Sequence, residues 1–422
     1  MSVTGELGAL LLGGLAAGAS LSLLVRSRRR ATAMAAQPTQ EAARSFGAAV
    51  LVAALFFLAD WFLLWSLPHL GLSFSPDIGP PLVASFLIRL FFLGTLVVSL
   101  LIAGQPQSFR LWGSILRPGA GSRRVANAQK PRYRPKLSRP GPGVILIFLT
   151  LNLAFSGAQA YAFGVEPLWV ETSHLTLTSM ALDPAAPPVR VVHLTDLHIE
   201  RSSYREAAIV RRVNELRPDL IVLTGDYLNV STLFDPTAVA DLRRLVGQLE
   251  APYGIYAVRG SVESRPERMA HLWEGTGVVW LEQEALTMEV RGQPLTLVGV
   301  ACSHNHDRDV ARLSEALAGT PDDTARLLLY HSPDLVYEAA EAGIDFYLAG
   351  HTHGGQLCLP FYGPLVTFSR YGRQYAAGRF EVEGTTLYVS RGLGFEGGGA
   401  PRARFLARPE IVVVDLQAAA NE

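Results

Sequence analysis

Histidine and aspartate side chains follow the ends of several apolar runs in this 422-residue sequence. His351 and His353 come two residues apart just after the run "FYLA", and Asp196 and His198 have the same spacing after "VRVVHL". Alternate residues of an extended chain point to the same side, so each pair can present two ligands on one side of the chain. Mixed imidazole and carboxylate ligation suits Mn, Fe, Zn or Ni better than Ca or Mg. The spacing therefore predicts a transition-metal site.

Three more apolar runs end at a residue that could bind a metal. Asp226 follows "LIVLTG", Ser261 follows "YGIYAVRG", and His331 follows "ARLLLY". Ligands of open α/β sheets bind beyond the carboxyl ends of the strands. We therefore expect these side chains to converge with the two spaced pairs at one place.

The apolar runs alternate with helical patterns, of which "YREAAIVRRVNELRPD" is an example. Continuous apolar strands that alternate with amphipathic helices are typical of sheets covered by helices. The segments "RFEVEG" and "TTLYVS" predict a hairpin, and "EIVVVDL" predicts a final strand. From about residue 166 onward, the sequence predicts an α/β domain that ends near residue 422.

The first 165 residues have a different character, and they account for much of the 49% hydrophobic content. Each of four apolar segments approaches the roughly 20 residues that span a bilayer as a helix. These segments are 7–25, 46–67, 82–104 and 144–165. The first could instead be a cleaved signal peptide, but no basic residue precedes it and "RSRRR" follows it, which favours a retained helix.

The basic residues of the loops predict an orientation in the membrane. The loop after the first segment contains "RSRRR", the loop 105–142 contains "SRRVANAQKPRYRPKLSRP", and the loop 72–81 between them has no Lys or Arg. Basic loops stay on the cytoplasmic side. We therefore expect a multi-pass protein of the cytoplasmic (inner) membrane, with its globular domain outside the cytoplasm. The basic loop could instead bind nucleic acid or anionic lipid, but we favour a role in setting the orientation and expect no nucleic-acid partner.

The order of the polar motifs resembles that of the calcineurin-like metallophosphoesterase superfamily, which reads D-x-H, G-D, G-N-H-(D/E), H and G-H-x-H. "GHTHGGQ", "LYVSRGLG" and "RFLARPEIVVV" are similar to the bacterial membrane-linked phosphodiesterase branch, and transmembrane proteins with a C-terminal metallophosphoesterase domain share the architecture. The resemblance implies two mixed β-sheets packed as a sandwich and flanked by helices. It also implies two divalent transition metal ions, with Mn favoured, and a bridging hydroxide that attacks phosphorus.

The resemblance implies specific roles for seven residues. A first ion would be bound by Asp196, His198 and His353, a second by His331, His351 and Ser261, and both by Asp226. Asp196, Asp226 and His351 would be the catalytic residues.

One motif departs from the family. Ser261 replaces the asparagine of G-N-H-(D/E), and Val262 replaces the histidine that can protonate the leaving group. Two readings therefore stay open: an active phosphodiesterase, whose phosphoester substrate could be lipid-linked, and a non-catalytic metal-binding sensor or scaffold. A pyrophosphatase of UDP-sugar lipids is a third, which the orientation disfavours. His304 or His306 could replace the missing acid, and Cys302 and Cys358 could be paired or free.

Overall fold

The structure is a computed structural model that describes residues 37–69, 79–103, 142–263, 272–395 and 401–420. The first predicted span, 7–25, lies outside these residues. Contacts between residues in space divide the chain into two compact units. Every predicted site residue belongs to the unit that contains Phe155–Glu422. The proposed domain boundary at 165/166 stays a prediction.

The remaining three predicted spans fall on long helices. These are α1 (Gln37–His69), α2 (Gly79–Ala103) and α3 (Pro142–Ala160). Three stretches of the described residues are long and apolar enough to cross a membrane: Arg44–Leu67, Pro81–Val98 and Pro142–Leu168. Many of their large apolar side chains are exposed, as on a helix that is hydrophobic all round.

The rest of the described chain forms strands and shorter helices. The strands are β1 (Glu171–Ser179), β2 (Val189–Leu194), β3 (Leu220–Leu223), β4 (Ile255–Val258), β5 (Val279–Leu281), β6 (Gln283–Val290), β7 (Gln293–Val300), β8 (Ala325–Tyr330), β9 (Phe346–Ala349), β10 (Cys358–Leu359), β11 (Gly363–Pro364), β12 (Gly378–Val382), β13 (Thr385–Val389) and β14 (Glu410–Ala418). The helices are α4 (Tyr204–Glu215), α5 (Pro236–Val246), α6 (His306–Leu317) and α7 (Val336–Glu341).

Most of these strands form two mixed six-stranded sheets. The first has the order β1-β14-β2-β3-β4-β5, in which β14 runs antiparallel to β2 and the other neighbours are parallel. The second has the order β12-β13-β9-β8-β7-β6, with parallel pairing from β13 through β9 and β8 to β7. Strands β10 and β11 form a separate short hairpin.

Alternating side chains explain why the two sheets form a sandwich. Val191 and Val222 of the first sheet share a buried cluster with Leu327 and Leu348 of the second, so these faces lie against each other. The residues between them on the strands, such as Val192, point to the opposite face and contact α4 and α5. Helices α6 and α7 cover the second sheet in the same way. The predicted sandwich flanked by helices is confirmed.

Candidate metal centre

The site residues lie just beyond the carboxyl ends of four strands. Asp196 and His198 follow β2, Asp226 follows β3, His331 follows β8, and His351 begins the turn after β9. Strands β2 and β3 are parallel neighbours in one sheet, and β8 and β9 are parallel neighbours in the other. Because the two sheets face each other, their strand ends bring these side chains together.

The side chains form two compact groups that could each hold a metal ion. Within each group, the ligand atoms all lie within 4.8 Å of one another. The first group is Asp196, His198 and His353, and the second is Asp226, His331 and His351. All are buried except His351, which is partly exposed.

Asp226 lies between the two groups. Its Oδ2 atom is 3.2 Å from Nε2 of His331 in its own group and 3.8 Å from Nε2 of His198 in the other. One carboxylate oxygen therefore has imidazole nitrogens of both groups beside it, which is the position that a bridging ligand needs.

The distances between nitrogen atoms fit a cation. Nε2 of His198 lies 3.1 Å from Nε2 of His353, and Nδ1 of His351 lies 3.1 Å from Nε2 of His331. Nitrogen ligands about 2.0–2.1 Å from one ion are separated by about 3 Å when they are adjacent in its coordination sphere. In addition, Nδ1 of His331 contacts the carbonyl oxygen of Thr224 at 2.7 Å and must donate to it, so the ring presents Nε2 to Asp226.

The backbone of the site is held in an unusual conformation. Five of the six residues in the two groups have positive φ angles: Asp196 (50°), His198 (42°), Asp226 (54°), His351 (70°) and His353 (51°). Left-handed backbone at a non-glycine residue costs about 1–3 kcal/mol and clusters at functional sites. The surrounding contacts must offset this strain.

Glycines allow the strand ends to approach closely. A Cβ atom on Gly350 would lie 2.3 Å from Oδ2 of Asp196, and one on Gly260 would lie 2.5 Å from Oδ1 of Asp226. Both glycines belong to the predicted motifs. Their lack of a side chain lets the carboxylates sit directly against the neighbouring strand end.

The charges of the site favour a cation next to Asp226. Burial alone would raise the pKa of Asp226, but the neighbouring imidazoles of His331, His198 and His351 together outweigh it, and the pKa is well below its usual value. Burial alone would lower the pKa of His331, yet Asp226 raises it well above the usual value. Burial, together with the charge of His331, lowers the pKa of His351 to about 4, which keeps that imidazole available as a neutral ligand.

The altered G-N-H motif keeps its backbone role. The Ser261 hydroxyl lies 3.0 and 3.1 Å from the two carboxylate oxygens of Asp226, and the backbone N–H of Val262 donates to Oδ1 at 2.8 Å. The Glu263 carboxylate accepts from the backbone N–H groups of Asp226, Tyr227 and Gly260. The segment therefore holds Asp226 in place, although the apolar side chain of Val262 offers no proton.

The two histidines suggested as a substitute acid have different surroundings. The exposed His304 has its ring centroid 6.3 Å from that of His351, and its Nε2 is 3.4 Å from the carbonyl oxygen of Ser261. Nε2 of His306 instead lies 2.8 Å from Glu338. His304 thus borders the second group, whereas His306 contacts α7.

Cys302 and Cys358 are both free and buried.

Arg404 is a site residue that sequence reasoning did not single out. Its fully buried guanidinium donates to the carbonyl oxygen of His353 at 2.9 Å, and Nη2 lies 3.1 Å from Nδ1 of the same residue. These contacts hold both the backbone and the ring of His353 in place. Arg404 begins the quoted segment "RFLARPEIVVV", which was the available signal.

Comparisons with known proteins point to one family. Residues 189–355 match the calcineurin-like phosphoesterase family. The chain is 32% identical to the uncharacterised metallophosphoesterase YkuE of Bacillus subtilis. The aligned 278 residues make up 63% of this chain and 92% of the relative. It is 27% identical to the phosphodiesterase YaeI of Escherichia coli, over 63% of this chain and 95% of the relative. A Bos taurus transmembrane protein with a metallophosphoesterase domain is 28% identical, over 78% of this chain and 72% of the relative.

Proposed function

Because the chain belongs to the calcineurin-like phosphoesterase family, whose members are metal-dependent hydrolases of phosphoesters, we propose that it is a membrane-anchored phosphodiesterase with two metal ions. Its similarity to the phosphodiesterase YaeI supports the diester specificity. The three apolar stretches and the similarity to a transmembrane relative support the membrane anchor.

The position of Asp226 carries this proposal. Its Oδ2 atom contacts imidazole nitrogens of both groups, so a single carboxylate can join two ions. Two-metal phosphoesterases hold their ions about 3.5–4 Å apart, which requires a shared ligand of this kind.

We assign the first ion to Asp196, His198 and His353, and the second to His331 and His351, with Asp226 shared by both. Ser261 is the seventh candidate, because its hydroxyl lies within hydrogen-bonding distance of the shared carboxylate. The mixed nitrogen and oxygen donors suit Mn, Fe, Zn or Ni, and we favour Mn.

The protein's own groups orient this chemistry. Bound divalent ions would neutralise charge on the phosphoryl oxygens and make water more acidic. Val262 and Ser261 hold Asp226 through its carboxylate oxygens, and the backbone N–H of His351 holds the Asp196 carboxylate at 3.1 and 3.2 Å. Thr224 fixes the ring of His331, and Arg404 fixes the ring of His353. Each ligand is therefore oriented before substrate binds, so little reorganisation is needed during the reaction.

Val262 favours a second candidate function, a metal-binding sensor that does not hydrolyse its ligand. The apolar side chain cannot protonate a leaving group, and the serine hydroxyl is a shorter ligand than asparagine. Both residues nevertheless keep Asp226 in place, and His304 borders the site. These contacts favour the hydrolase.

The loop charges support a location at the outer face of the cytoplasmic membrane. A substrate in that position could be a lipid headgroup diester or another extracytoplasmic phosphodiester. Nucleotide-linked lipid precursors are cytoplasmic, so the same orientation disfavours a pyrophosphatase of UDP-sugar lipids.

Activity and metal content of the full chain test this function. The purified protein is assayed in detergent with Mn²⁺ and bis-p-nitrophenyl phosphate, and bound metal is measured by mass spectrometry. We expect hydrolysis and two ions per chain, and Asp226→Asn should lose both properties. The exposed Asp322→Asn is the matched control. Two bound ions without turnover of any diester in a broad panel would favour the sensor, and full metal content in Asp226→Asn would refute the shared ligand.

A further inference from the structure

A strongly apolar surface segment follows the metal-binding turn. We name residues 358–368 the apolar hairpin; it contains the paired strands β10 and β11, in which Leu359 lies opposite Gly363. Six large apolar side chains in it are exposed: Leu359, Phe361, Tyr362, Leu365, Val366 and Phe368. Phe361 at the tip is 111% exposed and Phe368 is 67% exposed. Soluble proteins rarely expose an apolar surface of this size to water, so we expect a membrane or another molecule to cover the hairpin.

Arginines lie in and beside the apolar hairpin. Residues 356–380 contain Arg370, Arg373 and Arg379 and no Asp or Glu, although Arg379 pairs with Glu381 at 2.7 Å. The guanidinium of Arg373 lies 4.2 Å from the ring centroid of Tyr362 and donates to its carbonyl oxygen at 2.8 Å. Aromatic and aliphatic side chains beside arginines are typical of surfaces that enter the headgroup region of an anionic bilayer.

The base of the hairpin is joined through Phe405 to the chain just after the third apolar helix. Leu357 pairs with Phe405, and the N–H of Cys358 donates to the carbonyl oxygen of Phe405 at 2.9 Å. The Phe405 ring lies 6.0 Å from that of Tyr161, and the N–H of Leu406 donates to Glu166 at 2.8 Å. Tyr161 and Glu166 belong to the apolar stretch Pro142–Leu168, so this end of the stretch and the hairpin are joined through one segment.

The residues around the end of that stretch have the composition of a membrane interface. Trp169 is 51% exposed, and the guanidinium of Arg408 lies 3.8 Å from its ring centroid. Leu406, next to Phe405, is also exposed. Tryptophan and arginine commonly mark the level of the headgroups at the end of a spanning helix.

The other side of the hairpin base contacts the turn that carries His351 and His353. A Cβ atom on Gly355 would lie 2.1 Å from Cβ of Pro364, and the Cys358 thiol contacts the carbonyl oxygen of Gly354 at 3.1 Å. The apolar hairpin therefore adjoins both the metal-binding turn and the segment that contacts the end of the apolar stretch.

We propose that the apolar hairpin inserts into the headgroup region of an anionic bilayer and brings the site to lipid-anchored phosphodiesters. The proposal rests on the proposed hydrolase function for its substrate class, whereas the insertion itself does not depend on catalysis. A second copy of the chain or a partner protein would be a different occupant of the same surface, and the experiment separates these cases.

Insertion is tested with the full chain in proteoliposomes of phosphatidylethanolamine and phosphatidylglycerol. Phe361→Cys is labelled with nitrobenzoxadiazole, and the parent chain, whose two cysteines are buried, is the labelling blank. We expect a blue-shifted emission that doxyl lipids quench. Asp323→Cys is the control, because it is exposed just before the start of β8, whereas His331 follows the end of that strand. Equal, weak quenching of both labels would overturn the proposal. Efficient thiol crosslinking between two copies of the Phe361→Cys chain, in place of quenching, would overturn it as well.

The substrate class is tested with a matched pair of diesters that share one leaving group. Hexadecyl p-nitrophenyl phosphate is embedded in the vesicles, and methyl p-nitrophenyl phosphate is soluble. Phe361→Ser with Phe368→Ser should lower kcat/KM for the embedded diester about tenfold, because apolar contacts with lipid are lost, and leave the soluble diester unchanged. Equal rates for parent and variant on the embedded diester would overturn the proposal while the hydrolase function stands. No turnover of either diester by the parent chain would refute the function, and the quenching result would still decide insertion.

Discussion

Val262 separates two roles that the family motif combines at one position. Its backbone N–H holds the Asp226 carboxylate, a role that any residue except proline can fill. Its buried side chain replaces an imidazole that could protonate a leaving group. At the scale of single residues, the site therefore keeps its geometry and loses a proton donor.

Restoring the motif should change the choice of leaving group. General acid catalysis is typically worth about 10²–10⁴-fold, and a nitrophenolate needs a proton far less than an alkoxide does. We expect Ser261→Asn with Val262→His to raise kcat/KM for an alkyl phosphodiester more than for an aryl one, and to bind the second ion more tightly. The measurement is the alkyl-to-aryl ratio of kcat/KM in parent and double variant. An unchanged ratio would show that Val262 does not limit the reaction.

His304 is the residue best placed to compensate for Val262. Its ring borders that of His351, with 6.3 Å between the two ring centroids. We expect His304→Gln to lower kcat/KM for alkyl diesters more than for aryl diesters. His306→Gln is the matched control, because that ring pairs with Glu338. A fall of the same size for both substrate classes in His304→Gln would assign this histidine to binding or stability instead.

At the scale of elements, close approach of two strand ends builds the site. Gly350 follows β9 and lies directly against Asp196, so a methyl group there must push the carboxylate away. We expect Gly350→Ala to abolish metal binding by the first group and to reduce activity by at least about 100-fold, because a small displacement of a ligand removes the geometry of the reaction. Metal content and kcat/KM are the measurements. Gly157→Ala is the control, since nothing lies within 4 Å of its added Cβ. Normal metal content in Gly350→Ala would refute this role.

The sequence predicted those strands that consist of an uninterrupted apolar run followed by a polar residue. The strands that end near Asp196, Asp226, His331 and His351 were all expected, because burial on both faces leaves a continuous signal. Strand β1, "ETSHLTLTS", was not expected, since it lies at a sheet edge and alternates polar with apolar residues. Its parallel pairing with the distant β14 depends on contacts between chain ends, which local patterns do not encode.

Arg404 shows a second limit of local patterns. Its guanidinium donates to carbonyl oxygens of His353, Arg391 and Ala407, which are distant along the chain or lie in loops. Burial lowers its pKa to about 9, so the cation persists at neutral pH. No spacing pattern in the sequence identifies an arginine that holds another site residue through such contacts. The same holds for Thr224, whose contribution to His331 is a backbone carbonyl.

At the scale of the whole molecule, metal binding should support the folded state. A ligand that binds only the folded chain stabilises it by about 2.7 kcal/mol at 100 times its Kd. A change of 1 kcal/mol shifts Tm by about 2–4 °C in a domain of 150–250 residues, so chelation should lower Tm by about 5–10 °C. Thermal unfolding of the full chain in detergent, with Mn²⁺ and with chelator, measures the shift. Asp226→Asn should show little response, and a Tm of the parent that chelation leaves unchanged would contradict metal binding by the folded chain.

The charges of the loops predict the arrangement in the membrane. The segment 105–142 carries nine Lys and Arg residues, whereas 72–81 carries none. Because basic loops near spanning helices are retained in the cytoplasm, the helix α3 that follows should leave the cytoplasm and deliver the sandwich to the outer side. A C-terminal alkaline phosphatase fusion should then be active and a C-terminal green fluorescent protein fusion dark. Replacing the seven basic residues of 122–140 with glutamine should weaken this preference and raise the fluorescence. Bright fluorescence and an inactive phosphatase in the parent chain would place the metal centre in the cytoplasm, where nucleotide-linked lipid precursors become the better substrates.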